Sequence, residues 1–147
     1  MLHIRSANAS DIELLITLEQ TAPTAAHWSR NQYEQIFAPE ALARLILIAE
    51  QRGPVGSLVA ICATEEWELE NIVVSEASRR QGIGSLLIRE LIARARPAAA
   101  SSVMLEVRES NRAARFFYES LGFEEYGRRD SYYRNPREDA VLYRICL

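Results

Sequence analysis

Gly82-Ile83-Gly84 stands between an apolar run and an amphipathic one, with Arg79 and Arg80 just before it. Glycines at such a junction let the backbone turn sharply and come close to a ligand. The N–H groups at the start of the following helix, together with its dipole, favour an anion there, typically a pyrophosphate. Arg79 and Arg80 could add charge-assisted bonds to phosphate. A dinucleotide fingerprint would need a third glycine where Leu87 stands, so that class is excluded. The alternative is that the two glycines only shape a tight helix start.

Other chemistries are removed by composition. All 17 basic residues are arginine and there is no lysine. A lysine Schiff base is therefore impossible, and so is a Walker-type phosphate loop. Arginine-preferring codons explain most of this bias. The two histidines, His3 and His27, and the two cysteines, Cys62 and Cys146, form no cluster in the sequence. No metal site is expected, and the cysteines, set in apolar runs, read as small core hydrophobes. No apolar stretch approaches the length of about 18 residues that spans a bilayer, and no secretory leader pattern is present. A cytoplasmic protein without membrane or direct nucleic-acid contact is expected. The 147 residues fit a single domain, which at this size needs no disulfide or metal to hold it. The net charge of −3 is unevenly spread: residues 1–78 carry 4 arginines and 11 acids, residues 79–147 carry 13 arginines and 9 acids. The second half could face an anionic ligand and the first a cationic one.

The elements that would position the loop can be read in order. Residues 2–7 alternate as a strand. Ser10-Asp11-Ile12-Glu13 has the pattern of a capping box opening a helix through Ile12, Leu15 and Ile16. Ser29-Arg30-Asn31-Gln32 repeats it before Tyr33, Ile36 and Phe37, and Pro39 stops that second helix. Apolar runs at 43–50, 55–63 and 67–74 predict an antiparallel meander. After the glycine loop, Leu87, Ile88, Leu91 and Ile92 mark one face of a helix that ends before Pro97. Residues 102–108 predict a strand, Asn111 caps a helix to Leu121, and Gly122 is a suitable residue just past its end. Strands at 123–128 and 139–146 close the chain. Strand 67–74, the helix after the loop and strand 102–108 form one right-handed unit, so those two strands should be parallel. The class is α+β, three layers with a mixed, mostly antiparallel sheet between helices.

With these elements in place, Arg79-x-x-Gly82-x-Gly84 resembles the acetyl-CoA loop of the GCN5-related N-acetyltransferases (GNAT). The resemblance covers nearly the whole chain and is nearest the RimI type. It is carried by Asn71-Ile72-Val73-Val74, Arg80-Gln81-Gly82-Ile83-Gly84, Leu105-Glu106-Val107-Arg108, Ser110-Asn111, Tyr118-Glu119-Ser120-Leu121-Gly122-Phe123 and Arg137-Glu138-Asp139-Ala140. It implies the GNAT fold, acetyl-CoA as cosubstrate, no metal, and acetylation of the N-terminal alanine of a small-subunit ribosomal protein. A basic protein N-terminus is the implied partner, and a monomer or weak dimer is expected.

Acetyl transfer to an amine needs a proton acceptor for the ammonium and a donor for the departing thiolate. Glu106 shares one strand face with Met104, and an acid among apolar neighbours becomes a better base. A free α-amine, with a pKa of about 7.7–8.0 against about 10.4 for lysine, eases its task. The resemblance puts the base at Glu106 and the general acid at Tyr118. A phenol near 10 and a thiol near about 8.5 are close enough for proton delivery. The structural alternatives are a salt bridge from Glu106 to Arg108 or Arg112, and a core ring for Tyr118 beside Phe116 and Phe117. The coenzyme is implied to lie on the backbone of Ile72, Val73 and Val74, on Arg79, Arg80, Gln81, Gly82, Ile83, Gly84 and Ser85, and on Asn111, which is equally a helix cap.

The departures fall on the acceptor side. Ala26-His27-Trp28 stands where the RimI type often has Pro-Trp, Val73 replaces a small residue, and Asp130-Ser131-Tyr132-Tyr133-Arg134 lacks an Asn before the tyrosine pair. A polyamine or aminoglycoside acetyltransferase, or a silent acetyl-CoA-sensing module, therefore stands beside the peptide reading.

Overall fold

The computed structural model describes residues 1–22 and 27–147. Ala26, one of the acceptor-side departures, lies outside the described residues. The elements run β1 (His3–Ser6), α1 (Ile12–Gln20), α2 (Arg30–Phe37), β2 (Arg44–Glu50), β3 (Pro54–Ile61), β4 (Glu66–Val74), α3 (Ile83–Ala95), β5 (Ser102–Arg108), α4 (Arg112–Ser120), β6 (Glu124–Tyr133) and β7 (Glu138–Cys146). The strands form one sheet in the order β1-β2-β3-β4-β5-β7-β6. Pairing is antiparallel except between β4 and β5, which are parallel as the right-handed crossover requires.

Period-two alternation sends successive residues of β2 to opposite layers. Leu47 and Ala49 pack with Leu87 and Leu91 of α3 and with Tyr118 of α4. Ile46 and Ile48 pack with Leu15 of α1 and Tyr33 of α2. Helices thus lie on both faces, α3 and α4 on one and α1 and α2 over β2 and β3 on the other, the expected three-layer α+β arrangement.

The helix ends show which local signals the chain uses. Ser29 and Gln32 form their reciprocal box: Ser29 Oγ accepts from Gln32 N–H at 3.2 Å and Gln32 Oε1 from Ser29 N–H at 2.7 Å. The first box differs from expectation. It is built from Asn8 and Asp11 around a short 3-10 turn, with Asp11 Oδ2 accepting from Asn8 N–H at 2.9 Å. The reason is Arg5, whose guanidinium grips both Asp11 oxygens at 2.8 and 3.0 Å and so draws that side chain back over the turn. The same contact holds the Asp11 carboxyl below its ordinary range. At the end of α4, Gly122 adopts φ 98°. Phe123 N–H then reaches Tyr118 O and Gly122 N–H reaches Glu119 O, both at 3.1 Å, which closes a Schellman motif. Cys146 also departs from its expectation: it is exposed, because it follows the phase of Leu142 and Arg144 rather than that of the core residues Val141 and Tyr143.

Two irregularities in β4 matter for the site. Against β3, Val59 pairs with Asn71 while Ala60 pairs with Leu69, so Glu70 is an extra residue. Such a bulge reverses the alternation beyond it. Trp67 and Leu69 face α3, and so do Ile72 and Val74, whereas Asn71 and Val73 turn toward α1. Against β5, pairing covers only Glu66, Trp67 and Glu68 with Ser102, Val103 and Met104. Beyond that point the two parallel strands separate, and the backbone of β4 from Glu70 to Val74 has no strand partner on that side.

Candidate active site

The glycine loop has the backbone expected of an anion cradle. Arg80 and Gly82 take φ of 63° and 76°, so two left-handed residues alternate around Gln81. Alternation of this kind turns successive N–H groups into one concavity. Left-handed backbone is uncommon for a residue with a side chain, which sets Arg80 apart from its neighbours. The helix starts at Ile83, two residues earlier than expected, and Gly82 as its N-cap supplies no side chain to cover the first-turn N–H groups. The two glycines therefore do different things. A Cβ on Gly82 would meet nothing within 4 Å, so its need is conformational. A Cβ on Gly84 would lie 3.2 Å from the Phe117 ring, so its need is the close packing of α3 on α4. Arg79 and Arg80 are exposed, and neither forms an ion pair with a described residue.

Glu106 and Tyr118 flank the separating strands from opposite layers. Val103, Leu105 and Val107 face the α3 layer, where Tyr118 is buried edge-on to Phe117 at 5.2 Å and Phe123 at 5.7 Å. Met104 and Glu106 face the other side, over β5, β7 and β6, where no helix covers the sheet. Burial, and then the neighbouring Tyr133 hydroxyl, push the Tyr118 phenol well above its ordinary range. Tyr133 is itself pushed up to about 12, by burial first and then by the Glu106 charge. Tyr133 therefore bridges electrostatically between the two candidate catalytic side chains.

The surroundings of Glu106 are not the apolar ones expected. Its carboxylate pairs with Arg129 at 3.2 Å. The expected partner Arg108 instead binds Glu138 at 3.2 Å and stacks on the Tyr133 ring at 4.5 Å. Glu68, one register step away on β4, is half-buried. Its carboxyl is raised by that burial and by the charges of Glu106 and Glu70. Tyr132 is raised chiefly by Glu106. Sequence reasoning missed Glu68 and Arg129, because only the strand register brings them to Glu106.

It also missed Glu19, which had a local signal. Glu19 falls four residues after Leu15, inside the apolar stripe of α1, where a charge calls for partners. It is 1% exposed and accepts hydrogen bonds from Tyr33 Oη at 2.5 Å, Asn71 Nδ2 at 2.5 Å and His27 N–H at 3.0 Å. The bond to His27 carries the loop before α2, where Trp28 packs on Tyr33 with ring centroids 5.5 Å apart. Burial, with the Glu19 bond second, pushes the Tyr33 phenol far up. Of the remaining predicted residues, Val73 is buried against Leu18 and Ala22, Ile72 and Val74 lean on the α3 layer, and Ser85 is half-buried in the first turn of α3. Asn111 caps α4, its Oδ1 accepting from Ala114 N–H at 3.1 Å. Among the described residues no group of three or more His, Cys, Asp or Glu is arranged to hold a metal.

A mixed sheet whose parallel pair parts beside a glycine-led helix is the arrangement of an acyl-CoA-using transferase, and the comparisons agree: residues 11–123 match the acetyltransferase (GNAT) family. The chain belongs to that family, an acetyltransferase class that uses acetyl-CoA. It is 33% identical over 147 residues to the [ribosomal protein bS18]-alanine N-acetyltransferase of Haemophilus influenzae, covering 95% of this chain and 94% of that one. Against the Escherichia coli enzyme of the same name the identity is 35% over 145 residues, covering 95% and 93%. The crystal structure of the Escherichia coli enzyme superposes with a TM-score of 0.89 at 30% identity, covering 99% of this chain and 94% of that one.

Proposed function

We propose that the protein transfers the acetyl group of acetyl-CoA to the α-amine of a protein N-terminus, an N-terminal alanine of a basic ribosomal protein like that of its relatives. The observation that carries this reading is the parting of β4 and β5 with Glu106 on one side and Tyr118 on the other. The backbone of Ile72, Val73 and Val74, paired with β3 but without a strand partner on the β5 side, suits the amides of a pantetheine arm. Arg79, Arg80, Gln81, Gly82, Ile83, Gly84 and Ser85 offer N–H groups and two exposed guanidinium groups to the pyrophosphate. Asn111 is at the N-terminus of α4, whose Phe117 packs on Gly84.

The thioester supplies the acetyl group. Glu106 takes a proton from the acceptor ammonium, directly or through a water, and the freed amine then attacks the carbonyl carbon. The C–N bond forms, the C–S bond breaks, Tyr118 gives its phenolic proton to the sulfur, and the surplus proton on the new amide nitrogen leaves to solvent, from which the Tyr118 phenolate takes a proton back. The raised Tyr118 phenol is a neutral donor at physiological pH. Its rise widens the gap to a thiol in water. A thiolate released in the same dry pocket gains basicity by the same loss of hydration, which restores the match.

The test is release of coenzyme A from acetyl-CoA alone, with an Ala-Arg-starting peptide, with the same peptide N-terminally blocked, and with spermidine. Turnover confined to the free peptide is expected. Equal turnover with the blocked peptide overturns the α-amine assignment. Turnover with spermidine alone points to small amines, and saturable coenzyme binding without turnover to a sensor.

A further inference from the structure

Three arginines on the uncovered face of the sheet each hold an acid and a tyrosine ring. Arg108 takes Glu138 and Tyr133, Arg144 takes Glu66 and Tyr126, and Arg129 takes Glu106 and Tyr132. Arg129 differs from its neighbour Arg108 in how it is held. Arg108 also donates to Pro136 O and Arg134 O, both at 3.1 Å, and is locked. Arg129 makes one ion pair and no hydrogen bond to a described residue, and its side chain is 54% exposed while that of Glu106 is 13% exposed. Two acids elsewhere in the molecule are gripped by both prongs of an arginine, Asp11 by Arg5 and Glu70 by Arg44, the latter at 2.7 and 3.4 Å.

The backbone under Arg129 is irregular as well. Arg129 pairs with Ala140 and Tyr133 with Glu138, so β6 carries two more residues than β7 across this step. Ser131 sits in that excess at φ 51°, its N–H tied to Asp139 Oδ1 at 2.8 Å. β6 is the edge strand, paired only with β7. The swelling carries Arg129 and Tyr132 over β5 to the Glu106 carboxylate.

We propose that Arg129 is a stand-in for the acceptor's ammonium: in the free enzyme its guanidinium occupies the Glu106 carboxylate, and the incoming amine displaces it. The proposal rests on Glu106 being the base. Displacement serves two ends. A guanidinium and an ammonium repel each other at one carboxylate, so the acceptor gains its full charge-assisted bond as Arg129 leaves Oε1. A carboxylate that takes a proton also gives up a charge-assisted bond, so the transfer is easier once that bond is already gone. The exchange is cheap, because Arg129 holds Glu106 by a single contact from a side chain that is 54% exposed, and the guanidinium already lies over the Tyr132 ring at 5.5 Å, a contact it can keep when the ion pair opens. The acids that remain favour the newcomer: Glu68 forms no ion pair with a described residue and faces the same side as Glu106.

The test is calorimetric binding to the coenzyme A-loaded enzyme, wild type against Arg129→Gln and Arg129→Lys. The probes are the free and blocked Ala-Arg-starting peptides and spermidine. Arg129→Gln is expected to bind amines roughly two- to fivefold tighter, the fold-change matching the loss of one exposed ion pair. The blocked peptide should be unaffected, and Arg129→Lys should return toward wild type. Weaker or unchanged amine binding by Arg129→Gln overturns the proposal, as does equal tightening for the blocked peptide. The α-amine reading is judged separately: tighter spermidine binding, with wild-type turnover of spermidine and none of the free peptide, upholds Arg129 and overturns that reading.

Discussion

Glu19 and Glu106 lie on the same side of one sheet and are opposites in every other respect. Glu19 is enclosed and takes three hydrogen bonds from neutral donors on α2, β4 and the loop before α2. Glu106 faces the side of β5 away from α3, and its one ion pair with a described residue is to the exposed Arg129, with the Tyr132 hydroxyl beside it. A carboxylate sealed in this way can neither exchange its partners nor accept a substrate, and its donors would be orphaned without it. A carboxylate held by one loose cation has a partner it can trade. The contrast separates a joint from a working group more sharply than burial alone: what counts is whether the partner is replaceable.

Substitutions at the two sites should break the molecule in different ways. The largest effect is expected at Glu106. Glu106→Gln should lower kcat by about a hundredfold or more, the usual share of a general base, with coenzyme affinity and urea midpoint unchanged. Loss of coenzyme binding would mean that Glu106 is a structural acid like Glu19. Next is Glu19→Ala, which leaves the Tyr33 hydroxyl and the Asn71 amide unsatisfied and should cost roughly 2–4 kcal/mol in urea unfolding. The fraction that stays folded should keep most of its kcat. A kcat loss as deep as that of Glu106→Gln with an unchanged midpoint would erase the distinction.

A third acid sharpens the comparison at the smallest scale. Asp11 is fixed by a two-pronged arginine, a charged partner that is not replaceable. Its carboxyl lies below the ordinary value, so the pair's contribution to stability is present above an unfolded pKa of about 3.9 and is lost as pH falls through the folded value. Asp11→Asn should therefore lower stability at neutral pH and flatten the decline below about pH 4 in acid titrations followed by circular dichroism. An unchanged acid limb would show that Arg5 contributes no net stability through Asp11.

Signals confined to a few neighbouring residues were legible in the sequence. Ser29 with Gln32, Gly122 after α4 and the periodicity of α3 depend on contacts within one turn, and the structure follows them. The box at Asn8 escaped because Arg5 decides it from an adjacent strand. The extra residue at Glu70, the parting of β4 from β5 and the meeting of Arg129 with Glu106 are matters of register between strands distant in sequence, where composition is silent. Glu19 was half legible: a charge in an apolar stripe announces a need for donors, but not that they come from Tyr33 and Asn71.

The bulge at Glu70 works as a phase shifter. Below it β4 keeps time with the α3 layer through Trp67 and Leu69; above it the beat is moved by one residue, and Asn71 falls due under Glu19. Flatten the bulge, so that Glu70 takes an ordinary paired place opposite Val59, and every later side chain changes sides: Asn71 would be delivered into the apolar layer and Ile72 onto a buried carboxylate. One residue outside the strand's regular pairing thereby synchronises the part of β4 that has left β5 with the joint that carries the loop before α2.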